Sequence, residues 1–225
     1  MRKTKAKKLF HLFIFSTAFL FVLLGVETVN KFRSIPGFPS FDSSGKPDPS
    51  QKTAIYEGKK IDIPELAYLD VKDGFVLGEN SENKWVEVDL SEQKIRVWNG
   101  DSLFLESLVS TGLPWTPTPQ GEFRVWAKFR ATKMEGGSGR YYYNLPNVPY
   151  VMFFENSEVP RSKGYSLHGT YWHHDFGKVH SHGCINLPTP VAEKIYNWIE
   201  PQVPQGKYSV RAMEEDPGTR IVIHE

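Results

Sequence analysis

From Lys84 onward the chain falls into short runs rich in aromatic and β-branched residues, several with apolar side chains at every second position, and only one stretch reads clearly as a helix. Trp85, Val86, Val88 and Leu90 stand among more polar neighbours, a turn fits Asp89 to Glu92, and Lys94–Trp98 resumes the pattern. Alternation of this kind puts successive side chains on opposite faces of an extended strand, as a half-buried sheet requires. Asn99-Gly100 is a tight-turn signal, since both residue types tolerate positive φ. Leu103–Ser110, Phe123–Ala127 and Pro149–Phe154 read as further strands, and Lys207–Val210 and Ile221–His224 close the series. The exception runs from Pro190 to Glu200, where Val191, Ile195, Tyr196 and Ile199 share one helical face. Pro190 suits a first helical turn, and Thr189 is the candidate N-cap. The expected fold is therefore mainly β, with one short helix directly after the segment that holds the single cysteine.

Upstream the pattern is different. Residues 1–8 carry Arg2, Lys3, Lys5, Lys7 and Lys8 and no acid, and residues 9–26 form an apolar run without formal charge when His11 is neutral. Those 18 residues, at about 1.5 Å each, reach about 27 Å, near the roughly 30 Å hydrocarbon core of a bilayer. The reading is a basic tip that stays in the cytoplasm, a membrane anchor, and a domain outside, which makes the cell membrane a partner of the N-terminus. The expected location is the cell envelope, as a single-pass membrane protein. Secretion after cleavage of a signal sequence is the alternative, although no small-x-small site follows Val26. Residues 27–83 read as a spacer and N-terminal extension, with Pro36, Pro39, Pro47, Pro49, Gly37 and Gly45 breaking any period over 31–60. The compact domain is expected over 84–225. Without the five basic residues of the tip, 22 of the 27 Lys and Arg remain against 26 Asp and Glu. No basic block interleaves with aromatics there, so nucleic acid is not an expected partner.

Cys184 is the only cysteine, within Ser181-His182-Gly183-Cys184-Ile185-Asn186-Leu187, and a second His-Gly pair, His168-Gly169, precedes it. A lone exported thiol has no intramolecular disulfide to form, and its histidine and glycine neighbours suit a nucleophile. On an extended strand His182 lies about 6.5 Å along the backbone from Cys184. His168 is 16 residues away in sequence and needs the fold to reach the thiol. Gly183 permits unusual backbone, so the amides of Gly183 and Cys184 are candidates for an oxyanion site. Two other readings of the same residues stay open: a cysteine buried in a β core beside a glycine turn, and a zinc site drawn from His168, His173, His174, His180, His182 and Cys184. The spacings match no closed zinc motif, and no metal or cofactor is called for.

The motifs together resemble the catalytic domain of the L,D-transpeptidases, the YkuD-type family of bacterial cell-wall enzymes. His168-Gly169-Thr170 is similar to the family's His-Gly element and Ser181-His182-Gly183-Cys184 to its Ser-x-Gly-Cys signature. Thr118-Pro119-Gln120-Gly121-Glu122-Phe123 resembles a Thr-Pro-x-Gly-x-Phe stretch, and Gly218–Ile223 resembles the closing strand. The resemblance implies a β-sandwich of mixed sheets with a short helix after the cysteine motif. It implies peptidoglycan stem peptides as donor and acceptor, a thioester intermediate, release of D-alanine and a 3→3 cross-link. Cys184 would be the nucleophile, His168 the general base and acid, the Gly169 main-chain carbonyl the group that orients the base, and Gly183 an oxyanion amide. His182, Asn186, Ser181, Tyr171 and Trp172 would position substrate. Asn186 stands where many members carry arginine, which leaves open how substrate charge is read. Carboxypeptidase, cross-link-cleaving or protein-to-wall attachment activity at the same site, and a non-catalytic wall-binding module, are the alternative functions. Oligomeric state is not legible in the sequence.

Overall fold

The computed structural model describes residues 44–67 and 83–225. A hairpin of β1 (Thr53–Tyr56) and β2 (Lys59–Asp62) comes first. The meander β3 (Lys84–Asp89), β4 (Lys94–Asn99) and β5 (Ser102–Leu108) follows, with its tight loop at Gly100-Asp101, one residue beyond the Asn-Gly signal. Two long strands, β6 (Gly121–Gly136) and β7 (Tyr143–Glu155), form the centre. Then come β8 (Ser166–Thr170), β9 (Ile185–Pro188), helix α1 (Thr189–Trp198), β10 (Ser209–Arg211) and β11 (Arg220–His224). The strand order is β2-β1-β7-β6-β11-β3-β4-β5, with β10 on β6 and the pair β8-β9 on β7. Pairing is antiparallel except for β11 with β3 and β8 with β9. This is a mainly β sandwich of mixed strands with a short helix after the cysteine motif, as expected.

Burial explains why these residues take these places. On β7, Tyr150, Met152 and Phe154 enter one apolar cluster, while Val151 and Phe153 enter a second on the opposite face. A strand buried on both faces reads as a continuous apolar run, as Pro149–Phe154 does. The first cluster also holds Val86, Val88, Ile95, Val97, Ile221 and Ile223 from the meander and β11, and Ile195 and Ile199 from the helix region. The second holds Ala54 and Ile63 from the hairpin region with Ala127 and Phe129 of β6. Each such fully buried Val, Ile or Phe contributes roughly 1.5–3 kcal/mol. The register of β6 on β7 shifts between Val125 and Ala127, where β6 passes from the first cluster to the second, and again between Thr132 and Met134. Thr189 is the first helical residue rather than the N-cap, a place taken by Pro188, and its hydroxyl donates to the Thr170 carbonyl.

The membrane expectation is corrected. Among the described residues no helix is long and apolar enough to cross a membrane. Helix α1, with ten residues, spans about 15 Å, half of a hydrocarbon core. The single-pass topology and the signal read from residues 9–26 therefore have no counterpart in the described structure, and that segment lies outside the described residues. Residues 53–62, read as part of a spacer, are strands in the main sheet, with Ile55 registered against Asn144 of β7.

Candidate active site

Cys184 and His168 come together because β8 and β9 are parallel neighbours. Leu167 registers with Ile185 and His168 with Asn186, so the thiol of Cys184, one residue before β9, lies beside the first half of β8. Every residue of β8 is buried. His168 Nδ1 lies 3.1 Å from the Gly169 carbonyl oxygen. A carbonyl only accepts, so Nδ1 carries the ring proton and donates, and Nε2 is left with its lone pair. Burial pulls the His168 ring down to about 4, against the smaller opposing effect of the Gly169 bond. Burial likewise pushes the Cys184 thiol up, opposed by Ser166, whose Oγ is 3.6 Å from Sγ. At neutral pH the two therefore rest uncharged, as thiol and imidazole. Both line a small cleft of about 60 Å³ with Tyr56, Tyr143, Trp172, His180 and His182.

The turn that presents Cys184 is held from three sides. The Ser181 hydroxyl donates to the Cys184 carbonyl at 2.5 Å and accepts from the Gly183 amide at 3.0 Å. The buried Thr118 hydroxyl donates to the Gly183 carbonyl at 2.8 Å and accepts from the Gly112 amide at 2.9 Å. Gly183 itself has φ 117°, and a Cβ there would lie 2.6 Å from Tyr165 Cε1. Only glycine fits this conformation and this approach. The Gly183 amide is thus engaged inside the turn, whereas the sequence reading assigned it to an oxyanion.

The residues expected to position substrate divide. Trp172 lines the cleft, with its ring 5.6 Å from that of His168. His182 lines it too, packed 5.1 Å from the Tyr143 ring, and its buried Nε2 makes no hydrogen bond. Tyr171 instead donates to the Pro146 carbonyl and packs edge-on against Trp172, behind the cleft wall. Asn186 lines the cleft as well, with its Nδ2 position 2.8 Å from His173 Nε2. The Asp175 amide donates to His173 Nδ1, so the proton of this ring, kept neutral by burial, is on Nε2. Two N–H donors cannot bond each other, so the Asn186 amide, whose two ends are assigned by their partners, presents its oxygen to the ring and, from the cleft wall, fixes His173. Among the described residues no group of three or more His, Cys, Asp or Glu side chains is placed to hold a metal ion.

The family model for the L,D-transpeptidase catalytic domain matches residues 83–223. The chain belongs to that family. It is 29% identical over 120 residues to the YciB protein of Bacillus subtilis (strain 168), a stretch covering 50% of this chain and 59% of that one. Among solved structures, it is similar to an L,D-transpeptidase from Enterococcus faecium, at 27% identity and a TM-score of 0.48, over 64% of this chain and 50% of that one. It is also similar to one from Mycobacterium smegmatis, at 22% identity and a TM-score of 0.49, over 64% and 59%. The chain thus spans between half and three-fifths of the length of these relatives. Around the cleft of this L,D-transpeptidase, sequence reasoning missed Tyr143 and Tyr56. Tyr143 reaches the cleft because Gly136, opposite it on β6, leaves room for its ring. That pairing had no local signal.

Proposed function

We propose that this protein is a cysteine acyltransferase that cross-links peptidoglycan stem peptides. One observation carries the reading. The ring of His168 is locked by the Gly169 carbonyl into the tautomer whose free nitrogen can accept a proton, in the cleft that holds the only thiol. Cys184 attacks the carbonyl of the third stem residue, a diamino acid with an L reacting centre, and passes its proton to His168 Nε2. His168 returns that proton to the departing D-alanine amine as the tetrahedral adduct collapses to a thioester. An amine of a second stem then attacks, loses a proton to His168, and a 3→3 link forms as the thiol is restored. The oxyanion falls to the Cys184 amide, since the Gly183 amide is bound by Ser181. Trp172, Tyr143 and His182 wall the cleft.

Mass spectrometry of the purified protein with a tetrapeptide stem tests this. The wild type is expected to gain the acyl mass on Cys184, release D-alanine, and form dimer when a second stem is supplied. Cys184→Ser is expected to keep its fold and gain no adduct. A Cys184→Ser protein that still forms dimer refutes the assignment. Tripeptide without dimer would make the protein a carboxypeptidase instead.

A further inference from the structure

The hairpin of β1 and β2 stands outside residues 83–223, the span of the family domain, yet it reaches the thiol cleft. Tyr56, the last residue of β1, lines the cleft. Its ring stacks 6.1 Å from His180 and lies 6.2 Å from both Trp172 and His173. The hairpin is pinned in place: the Gly58 amide donates to the Tyr142 carbonyl at 3.3 Å, and Ala54 is buried in the second apolar cluster. Its tip is the two-residue turn Glu57-Gly58, with φ 50° and 71°. Gly58 takes that conformation freely. Glu57 is an L residue in a left-handed position that glycine, asparagine or aspartate fills with less strain. Strain retained at the edge of a cleft points to a use for the side chain. The Glu57 carboxylate is half-exposed, and its Oε1 lies 3.9 Å from His180 Nε2. His180 Nδ1 in turn lies 3.6 Å from Asp175 Oδ2. Burial holds the His182 ring below its ordinary value, and the field of Glu57 reaches that ring and opposes the shift.

We propose that Glu57 determines specificity for the second substrate, by holding the ammonium end of an amine acceptor at the mouth of the cleft. This rests on the acyl-transfer reading above. Once the thioester has formed, the thiol is consumed and His168 is neutral, so the reacting centre has no charge with which to prefer an amine over water. An acceptor amine arrives as an ammonium at neutral pH. A carboxylate at the rim attracts that cation and not water. The ammonium sheds one proton to solvent before attack and passes a second to His168 on attack, so charge balances without a further base.

The two half-reactions separate this proposal from the reading beneath it. Glu57→Gln, Glu57→Asp and Glu57→Gly are made in the full chain. Thioester formation with a tetrapeptide stem, measured without acceptor, is expected to stay within about twofold of wild type. The KM for the acceptor stem is expected to rise about tenfold in Glu57→Gln and Glu57→Gly, the scale of one lost charge-assisted hydrogen bond at a half-exposed site, and less in Glu57→Asp. The ratio of cross-linked to hydrolysed product is expected to fall by the same factor. Added salt should raise the wild-type acceptor KM and leave that of Glu57→Gln unchanged. Glu57→Gly is expected to raise the melting temperature by relieving the turn, so a structural defect would not account for its weaker acceptor binding. An unchanged acceptor KM in Glu57→Gln overturns the proposal. No thioester in the wild type overturns the acyl-transfer reading itself, and the proposal with it.

Discussion

If His168 rests neutral because it is buried, the protein must lose stability in acid through that one ring, by an amount that can be worked out. The ring is 2% exposed, and burial lowers it from 6.5 to about 4. The folded value lies below the unfolded one, so the fold favours the neutral ring. Its contribution is fully present above pH 6.5 and is lost as the pH falls from 6.5 through about 4, where the unfolded chain takes up a proton that the folded chain refuses. A fall of about 2.5 units at about 1.4 kcal/mol each gives about 3 kcal/mol lost by pH 4. His168→Gln removes the titrating ring and keeps a polar side chain. Urea unfolding of both proteins at pH 7, 6, 5 and 4 is the assay. The variant is less stable at pH 7, where its buried amide lacks the imidazole's fit. Between pH 7 and pH 4 it should lose about 3 kcal/mol less than wild type. His173, held down to about 3 by burial, also destabilises in acid, but it is common to both proteins and cancels. Parallel curves of stability against pH would refute the reasoning, because they would mean that His168 titrates alike in the folded and unfolded chains.

Thr118→Val strips the hydroxyl that joins the Gly112 amide to the Gly183 carbonyl. It should cost roughly 1–3 kcal/mol for each buried group left unpaired, read by calorimetry, and should slow acylation of Cys184. Gly183→Ala, forced to φ 117° against Tyr165, should abolish covalent labelling of Cys184 while β-sheet circular dichroism persists. His168→Ala should lower turnover about 100- to 10,000-fold, and His182→Ala should lower it less, since only the first removes the base. Rates at several pH values for both variants check this, and the reverse order would exchange their roles. Acyl transfer by a thiol needs no Lewis acid, so activity should survive dialysis against a chelator. Activity lost on dialysis and restored by stoichiometric zinc would contradict it.

Most of the sheet was legible because its strands alternate between a core face and a wet face. Val86 and Val88 against Ile95 and Val97 is a pattern that single residues disclose. The far half of β6 was not legible, because burial there includes charge. Lys128 is fully buried, its Nζ donating to the Ile199 carbonyl at 2.7 Å and lying 4.6 Å from the Tyr196 ring centroid. Desolvation pushes that ammonium down to about 7. A lysine in a strand normally signals the solvent side, and only the helix end it caps explains its place. The β1–β2 hairpin was hidden for the opposite reason. Its own side chains are half-exposed except for Ala54 and the exposed Lys59, Lys60 and Asp62, so it looks like linker until its pairing with β7 is seen. At the site, the nucleophile and base were legible as motifs, and the rest was not. Whether an amide is free or spent, as with Gly183, depends on a hydroxyl two residues away choosing its partner. Asn186 lines the cleft, and what sequence could not show is its partner His173, which lies 13 residues upstream and meets it only through the fold.

The position of β11 governs how this protein can be made. Residues 220–224 lie between β6 and β3, antiparallel to one and parallel to the other. They are synthesised after every other described strand, yet they join the meander to the rest of the sheet. As the chain emerges, at about 5–20 residues per second, β3–β5 and β6–β7 can each form from local contacts, but they have no shared strand to unite them. The closing step pairs residue 85 with residue 220, a long loop whose entropy is repaid only when the strand inserts. Folding is therefore expected to wait on the final insertion. A ribosome stalled short of Arg220 would hold two apolar half-sheets with open edges, the form of the chain most exposed to aggregation and to proteases.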